Sequence, residues 1–504
     1  MANLLFICVD QMRYDALSCN GNTVNLTPNL DRIARRGIAF DRHYTPNQIC
    51  SPSRATMATG LYPRHHGLCR NGMALPEDVP TLWQILRTKR LQTHAVGKLH
   101  YQPLLASSEH KMPESLAFWA NPEAPSWHGP FYGFGNVELV LGEANESTKA
   151  GHYATWLKAN HPSSPELFNP GANDEQARDL KEVWKSGVPA DQHYTNWIAD
   201  RTIEIVEDCA KDKSPFCVFM SFPDPHHPFT PPRPYCDLFS PSDVALPLVV
   251  PGELDRMPEY MADGDDPMQD AYIPPGSKVR EQGFMLHTDR IAEETIRTVI
   301  AHTYGSVRMI DDAVGRVLET LERDGLMDDT YIVFTADHGE FLGEHGLLRK
   351  GPPPYRQLLQ VPFLMCGPEI KGGVRSDALT SHLDLLSTFC DLYEMTSPAN
   401  DGVSLVDILN GKRTDVREHL FAEYHPRADD AVYNQSVITK SWRCTVYPNM
   451  PNWGELFFLD KDPGEHWNLF GEVEETRRFE EMRRLLASRF PAAPKVSGMV
   501  YGAY

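Results

Sequence analysis

Carboxylates, imidazoles, lysines and one cysteine recur in this sequence at or just beyond the ends of strand-like runs. Cys50 stands ahead of a short helical pattern that runs through Ser53, Ala55, Thr56, Met57 and Ala58 to Gly60. Backbone N–H groups at a helix N-terminus favour negative charge, so a nucleophile or an anion is at home there. Arg54 lies one turn along and can reach back. Asp10 and Asp337 are far apart in sequence, yet each follows a buried-strand pattern, and His338 follows the second. Two carboxylates and an imidazole in one crevice suit a hard or borderline divalent ion such as Ca²⁺ or Mn²⁺. Lys98 and His100 alternate by two, which places them on one face of an extended segment. Each feature has a plainer reading: a lone Cys is a small buried hydrophobe, an Asp after a strand caps a helix, and a Lys–His pair is solvated.

The elements that must position these groups follow from pattern. Asn3 to Val9 is a near-continuous apolar run ending in Asp10-Gln11, the look of a buried parallel strand. Phe216 to Phe222 runs in the same way into Asp224-Pro225-His226-His227-Pro228, and Thr330 to Thr335 into Asp337-His338-Gly339-Glu340. In open α/β sheets the ligand site lies at the carboxyl ends of the strands. Thr93 to Val96 is a shorter strand ending in Gly97-Lys98-Leu99-His100, and Ile38 to Tyr44 leads into the Cys50 loop. Helices are predicted from Pro28 to Gly37, Thr81 to Arg90, Asn196 to Ala210, His382 to Tyr393 and, with Val307, Ile310, Val314, Val317 and Leu321 in one stripe, Glu293 to Arg323. Lys350 falls in a Gly-Pro-rich loop. Stretches 104–190 and 230–288 lack strong periodicity and read as insertions, the first rich in aromatics that either line an entrance or anchor the insertion. After a polar break at 397–402, alternating segments at 420–423, 432–447 and 455–460 and a helix from Thr476 to Phe490 predict a small antiparallel α+β unit. The expected domains are residues 1–396 and 397–504.

The Cys50-x-Pro52-x-Arg54 spacing, continued by Ala55-Thr56 and Thr59-Gly60-Leu61-Tyr62-Pro63, resembles the signature of the sulfatase family in the alkaline phosphatase superfamily. Gly97-Lys98-Leu99-His100, Pro225-His226-His227-Pro228 and the turn Leu459 to Glu465 resemble further family segments, and the second of these selects His226 over His227. The resemblance implies an alkaline-phosphatase-like, mostly parallel sheet flanked by helices. It implies that Cys50 becomes formylglycine through a maturation enzyme, and that one divalent ion is held by Asp10, residue 50, Asp337 and His338, with Gln11 either ligating through its amide oxygen or bonding substrate. The hydrated aldehyde would attack sulfur, and its second hydroxyl would release the covalent ester. Arg54 would hold the diol, Lys98 and Lys350 would offset charge on the sulfuryl oxygens, His100 would act as base, and His226 would assist the leaving oxygen.

Two departures place the chain within the family. Gln11 stands where many members have a second Asp, and His338 where many have Asn. These forms resemble the branch of arylsulfatases, choline sulfatases and phosphonate monoester hydrolases. Asn71 falls where the phosphonate-hydrolase branch contacts substrate; Asn-Gly is equally a turn signal. The same branch has Tyr and Thr where this chain has Lys98 and His100, which favours sulfate monoesters over phosphonate monoesters or phosphodiesters.

Composition bounds the partners. The 504 residues carry 48 basic and 68 acidic side chains, a formal charge of −20. That argues against nucleic acid and an anionic membrane surface. Ten scattered cysteines show no disulfide framework. Met1 to Asp10 is too short and lacks the basic start of a signal peptide, so a cytoplasmic protein is expected. The apolar, aromatic end, Met499 to Tyr504, predicts a tail packed on its own body or on a second subunit of a dimer or tetramer.

Overall fold

A computed structural model describes residues 1–170, 179–256, 285–425, 432–490 and 499–501. In chain order its strands are β1 (Asn3–Val9), β2 (Ile38–Phe40), β3 (His43–Tyr44), β4 (Gln92–Gly97), β5 (Asn136–Leu139), β6 (Phe216–Phe222), β7 (Met285–His287) and β8 (Thr330–Ala336). They continue as β9 (Leu347–Arg349), β10 (Phe363–Cys366), β11 (Val374–Ser376), β12 (Thr380–Ser381), β13 (His419–Tyr424), β14 (Asn434–Thr439), β15 (Trp442–Val446) and β16 (Gly454–Phe458). Eight form one sheet in the order β11-β2-β10-β8-β1-β6-β4-β5. Every pair from β8 to β5 is parallel, and β10 runs antiparallel to both of its neighbours. This is the mixed, mostly parallel sheet that the sequence predicts.

Alternation along β1 explains why it lies at the centre. Leu4, Phe6 and Cys8 face one apolar layer, with Leu82, Leu86, Leu385 and Phe389. Leu5, Ile7 and Val9 face the other, with Ile198 and Val206 of the helix Tyr194–Asp212 and Val307, Ile310 and Val314 of the helix Glu293–Arg323. Each such side chain contributes about 1.5–3 kcal/mol by leaving water. Buried on both faces, the strand has no polar alternation.

Register then places the chemistry. Val9 is aligned with Phe222 on one side and Ala336 on the other. Residues just beyond these strands therefore emerge at one level. The ladder continues one step further: Asp10 N–H donates to the Phe222 carbonyl, Asp337 N–H to that of Val9, and Lys98 N–H to that of Ser221, each at 3.1 Å.

Stretch 104–190 contains the short helices expected of it, Leu116–Trp119 and Gly151–Asn160. It also supplies β5, the sheet's edge strand, paired through His94↔Asn136 and Gly97↔Leu139. The strand candidate from Ile38 to Tyr44 divides into β2 and β3. Strands β13 to β16 form a four-stranded antiparallel sheet, covered by the helix Thr476–Arg489 through Met482 and Leu486. All ten cysteines are free. Among the described residues no helix is long and apolar enough to cross a membrane. Tyr501 N–H donates to the Gly72 carbonyl at 2.9 Å and its ring meets His110 edge-on. Residues 491–498 and 502–504 of the tail, and most of 230–288 beyond Arg256, lie outside the described residues.

Candidate active site

The helix Cys50–Thr59 is buried at all ten positions. Cys50 is its first residue, one place further in than the sequence pattern suggests, and Ile49 is the extended N-cap. Pro52 is tolerated in the first turn, where its missing N–H has no intrahelical partner anyway. Gly60 closes the helix in the left-handed conformation (φ 67°), which a glycine adopts without strain. The first-turn N–H of Ser51, which has no intrahelical acceptor, donates to Asn71 Oδ1 at 3.2 Å. Asn71 thus anchors the helix that carries Cys50, and its Nδ2 is buried without a hydrogen-bond partner among the described residues.

Around the Cys50 sulfur stand His338 Nε2 and Lys350 Nζ, both at 3.1 Å, and Asp10 Oδ1 at 3.6 Å. Asp10, Cys50, Asp337 and His338 each present a ligand atom within 4.8 Å of the others, and all four are buried. His338 Nδ1 lies 2.9 Å from the Gly339 carbonyl. That contact keeps the proton on Nδ1 and turns the Nε2 lone pair toward Cys50. Burial, against the pull of Asp337, lowers His338 to about 4, so its imidazole is neutral at pH 7. Two carboxylates and a neutral imidazole at this spacing fit a hard or borderline divalent ion. Asp10 remains a carboxylate: burial raises its pKa, but the cations Lys98, Arg54 and Lys350 hold it well below the ordinary value. Burial and Asp10 push the Cys50 thiol up to about 12, against Lys350 and Lys98. As encoded, residue 50 is a protonated thiol.

Arg54 is wholly engaged. Its Nε donates to Asp337 Oδ2 at 2.7 Å, Nη2 to Asp10 Oδ2 at 3.3 Å, and Nη1 to the Lys98 carbonyl and Ser221 Oγ at 2.8 and 2.9 Å. It locks both carboxylates to the sheet end. Lys98 Nζ lies 2.7 Å from Asp10 Oδ2 and also pairs with Glu143. Burial lowers the Lys98 pKa, but Asp10 and Glu143 more than restore it, so the ammonium persists.

His100 departs from the extended geometry expected of it. Its φ is 61°, and its N–H, with those of Tyr101 and Gln102, turns onto the Glu114 carboxylate. Burial, then Lys98 and Arg54, hold the His100 imidazole neutral. His226 is neutral for the same reason, with Lys350 adding to burial. Its Nδ1 lies 2.5 Å from the His227 carbonyl, and its Nε2 accepts from Lys350 Nζ at 2.7 Å.

Gln11, also at positive φ (60°), turns its amide oxygen to Lys350 Nζ at 2.7 Å and its Nε2 to Glu340. In this structure its carboxamide bonds side chains beside the four-residue cluster. A cavity of about 190 Å³ reaches Gln11 and Glu340 and continues past Met12, Arg13, Leu246 and Tyr304.

Lys98, His100, His226 and Lys350 therefore all converge near Cys50, although 339 positions separate Gln11 from Lys350. The sequence reading missed Glu143, Glu114 and Glu340. The last two accept backbone N–H groups, and no local pattern announces a carboxylate with that task.

A family model described as "Sulfatase" matches residues 2–395. The chain belongs to the sulfatase family. A second model, the C-terminal region of N-sulphoglucosamine sulphohydrolase, matches residues 343–490 of this sulfatase and so spans its antiparallel sheet. The sulfatase is 27% identical to an arylsulfatase of Clostridium perfringens, over 96% of this chain and 93% of that one. It is 28% identical to a choline-sulfatase of Rhizobium meliloti, over 93% and 82%. The crystal structure of the phosphonate monoester hydrolase of Agrobacterium radiobacter superposes with a TM-score of 0.78 at 25% identity, covering 97% of this chain and 95% of that one. As a sulfatase-family member, the chain is a sulfuric ester hydrolase with an alkaline-phosphatase-like fold.

Proposed function

We propose that this sulfatase hydrolyses sulfate monoesters of phenols or small alcohols, with residue 50 as nucleophile after a maturation enzyme has converted Cys50 to formylglycine. The observation that supports this most is the setting of Cys50. It opens a buried helix and touches His338, Lys350 and Asp10 at once, yet as a thiol it is held protonated by burial. A cysteine that acts as a thiolate has its pKa lowered instead. Formylglycine at position 50, once hydrated, would supply two hydroxyl groups, one as nucleophile and one for release of the product. Asp10, Asp337, His338 and residue 50 would hold a divalent ion, Ca²⁺ or Mn²⁺, which would supply Lewis acidity toward the transferred group.

The chain's own side chains do the rest. Lys98 and Lys350 present ammonium groups to the three sulfuryl oxygens, where charge builds up. Lys350 carries the proton in its pair with His226, because a lysine ammonium only donates. That proton is the one available to the leaving oxygen, and neutral His226 holds Lys350 in line. His100, neutral and buried, takes a proton from the nucleophile's second hydroxyl. Arg54 stays bound to Asp10 and Asp337 and keeps them in place. Asn71 presents its unpartnered Nδ2 toward substrate while its oxygen holds the helix.

A second reading, hydrolysis of phosphonate monoesters, draws support from the likeness to the Agrobacterium radiobacter enzyme. Lys98 and His100 favour sulfate, since that branch carries Tyr and Thr there. Matched aryl sulfate and aryl phosphonate esters decide: a higher kcat/KM is expected for the sulfate, and a higher value for the phosphonate would reverse the assignment.

A further inference from the structure

We infer that Glu253, His345 and His466 form a second divalent-cation site, of the Zn²⁺ type, which clasps three distant segments of the chain. The inference is independent of the proposed activity. The three side chains present Glu253 Oε2, His345 Nδ1 and His466 Nδ1 within 4.8 Å of one another. His345 Nδ1 is 3.1 Å and His466 Nδ1 2.7 Å from the one carboxylate oxygen. A tetrahedral centre with bonds of about 2.0–2.2 Å needs ligand atoms roughly 3.3–3.6 Å apart, so a small outward shift admits the ion. It would take the place of the protons that now bridge each imidazole to the carboxylate.

The donor set selects the ion. Two imidazoles and one carboxylate suit a borderline cation, whereas Ca²⁺ and Mg²⁺ prefer oxygen alone. Three protein ligands leave a fourth position for water. The His466 side chain, 14% exposed against 0% for His345, marks the side on which that water sits.

Local backbone is shaped to bring the three groups together. His345 adopts φ 57°, unusual for a residue with a Cβ, between Gly343 (φ 95°) and Gly346 (φ 70°). A Cβ at position 464 would fall 2.4 Å from His466 Nε2, so Gly464 is what lets that ring fold back over the turn. Nε2 of His345 has no hydrogen-bond partner among the described residues, so only the Glu253 side fixes the ring's tautomer. Glu253 Oε1 meanwhile accepts from Val250 N–H at 3.0 Å, which leaves Oε2 aimed at the imidazoles. The segments joined are the 3₁₀ turn Glu253–Arg256, the loop that leads from Glu340 to Lys350, and the turn after β16. The clasp thus ties the small sheet to the loop that delivers Lys350.

The test is zinc stoichiometry on the full chain. Wild type and His466→Ala are dialysed to equilibrium against Zn²⁺, and bound metal is counted by elemental analysis. Any ion held at Cys50 is common to both proteins, so the difference reports this site alone. One more equivalent per chain is expected in wild type, with a rise of a few degrees in Tm on adding Zn²⁺ that His466→Ala lacks. Equal stoichiometry would overturn the proposal. Should the variant fail to fold, crystals of wild type soaked in Zn²⁺ decide. An anomalous peak between Glu253, His345 and His466 supports the site, and its absence there refutes it.

Discussion

Two buried arginines, each held between two carboxylates, carry different meanings in this molecule. Arg54 bridges Asp10 and Asp337 at the end of the large sheet. Arg443 bridges Glu455 and Glu465 within the small one, beneath the rings of Tyr355 and Phe457. In the small-sheet cluster Arg443 Nη1 also donates to Thr445 Oγ1 and the Tyr447 hydroxyl donates to Glu455, while Arg443 Nη2 has no hydrogen-bond partner among the described residues. The large-sheet cluster stays charged beyond its own pairing: Lys98, Lys350, His338 and residue 50 crowd the same carboxylates. A buried ion pair whose charges answer only each other resists change; one crowded by further cations and ligand atoms suits a charged guest. The same ingredients therefore build a strut in one place and the proposed reaction centre in the other.

Substitutions that divide these roles sharpen the comparison. Cys50→Ala should fold with little change in Tm and lose roughly 10⁴-fold or more in kcat, because the proposed mechanism draws its nucleophile from residue 50 alone. Lys350→Ala should lower kcat by about 10²–10⁴-fold, the range of one general acid; a change confined to KM would place Lys350 in substrate binding only. Arg443→Met should do the reverse. It leaves Glu455 and Glu465 buried without their partner and should cost about 3–5 kcal/mol of stability by denaturant titration, with kcat per folded molecule unchanged. Loss of activity in the folded variant would break the contrast between strut and reaction centre.

A smaller effect is expected from pH. Burial lowers His66, His193 and His382 to about 3 and His152 to about 4, so the folded chain keeps them neutral. Unfolded, they take up protons near 6.5. Below that pH the unfolded state binds more protons, and stability falls by up to about 1.4 kcal/mol per pH unit for each group. Glu114, raised by burial to about 7, and Asp224 and Asp311, raised to about 6, act in the opposite sense and soften the slope until about pH 4. The midpoint of urea unfolding should drop steadily from pH 6.5 to 4 and more steeply below. A flat profile would mean that these histidines are not buried as described.

Much of this was legible in the chain. β1, β6 and β8 are apolar runs with polar residues at one end, which puts Asp10, His226 and Asp337 at strand ends; the pairing of β1 with β6 and β8 is what brings them to a common edge. The helix Glu293–Arg323 declares itself by its stripe. What was hidden has physical causes. β5 is only four residues long and carries Glu138, whose carboxylate is neutralised by Arg201 from another element. His100 and Gln11 leave the extended conformation because Glu114 and Glu340 draw backbone and carboxamide groups aside, and those partners lie 14 and 329 positions away. Glu143 is visible only once Lys98 is seen to need a second anion.

The central claim rests on residue 50. Mass analysis of the peptide that contains it, taken from a preparation whose sulfate-ester turnover has been measured, tests it most directly. An aldehyde or its hydrate at position 50, in proportion to activity across preparations, is the predicted result. Full activity with an intact Cys50 thiol would contradict the account.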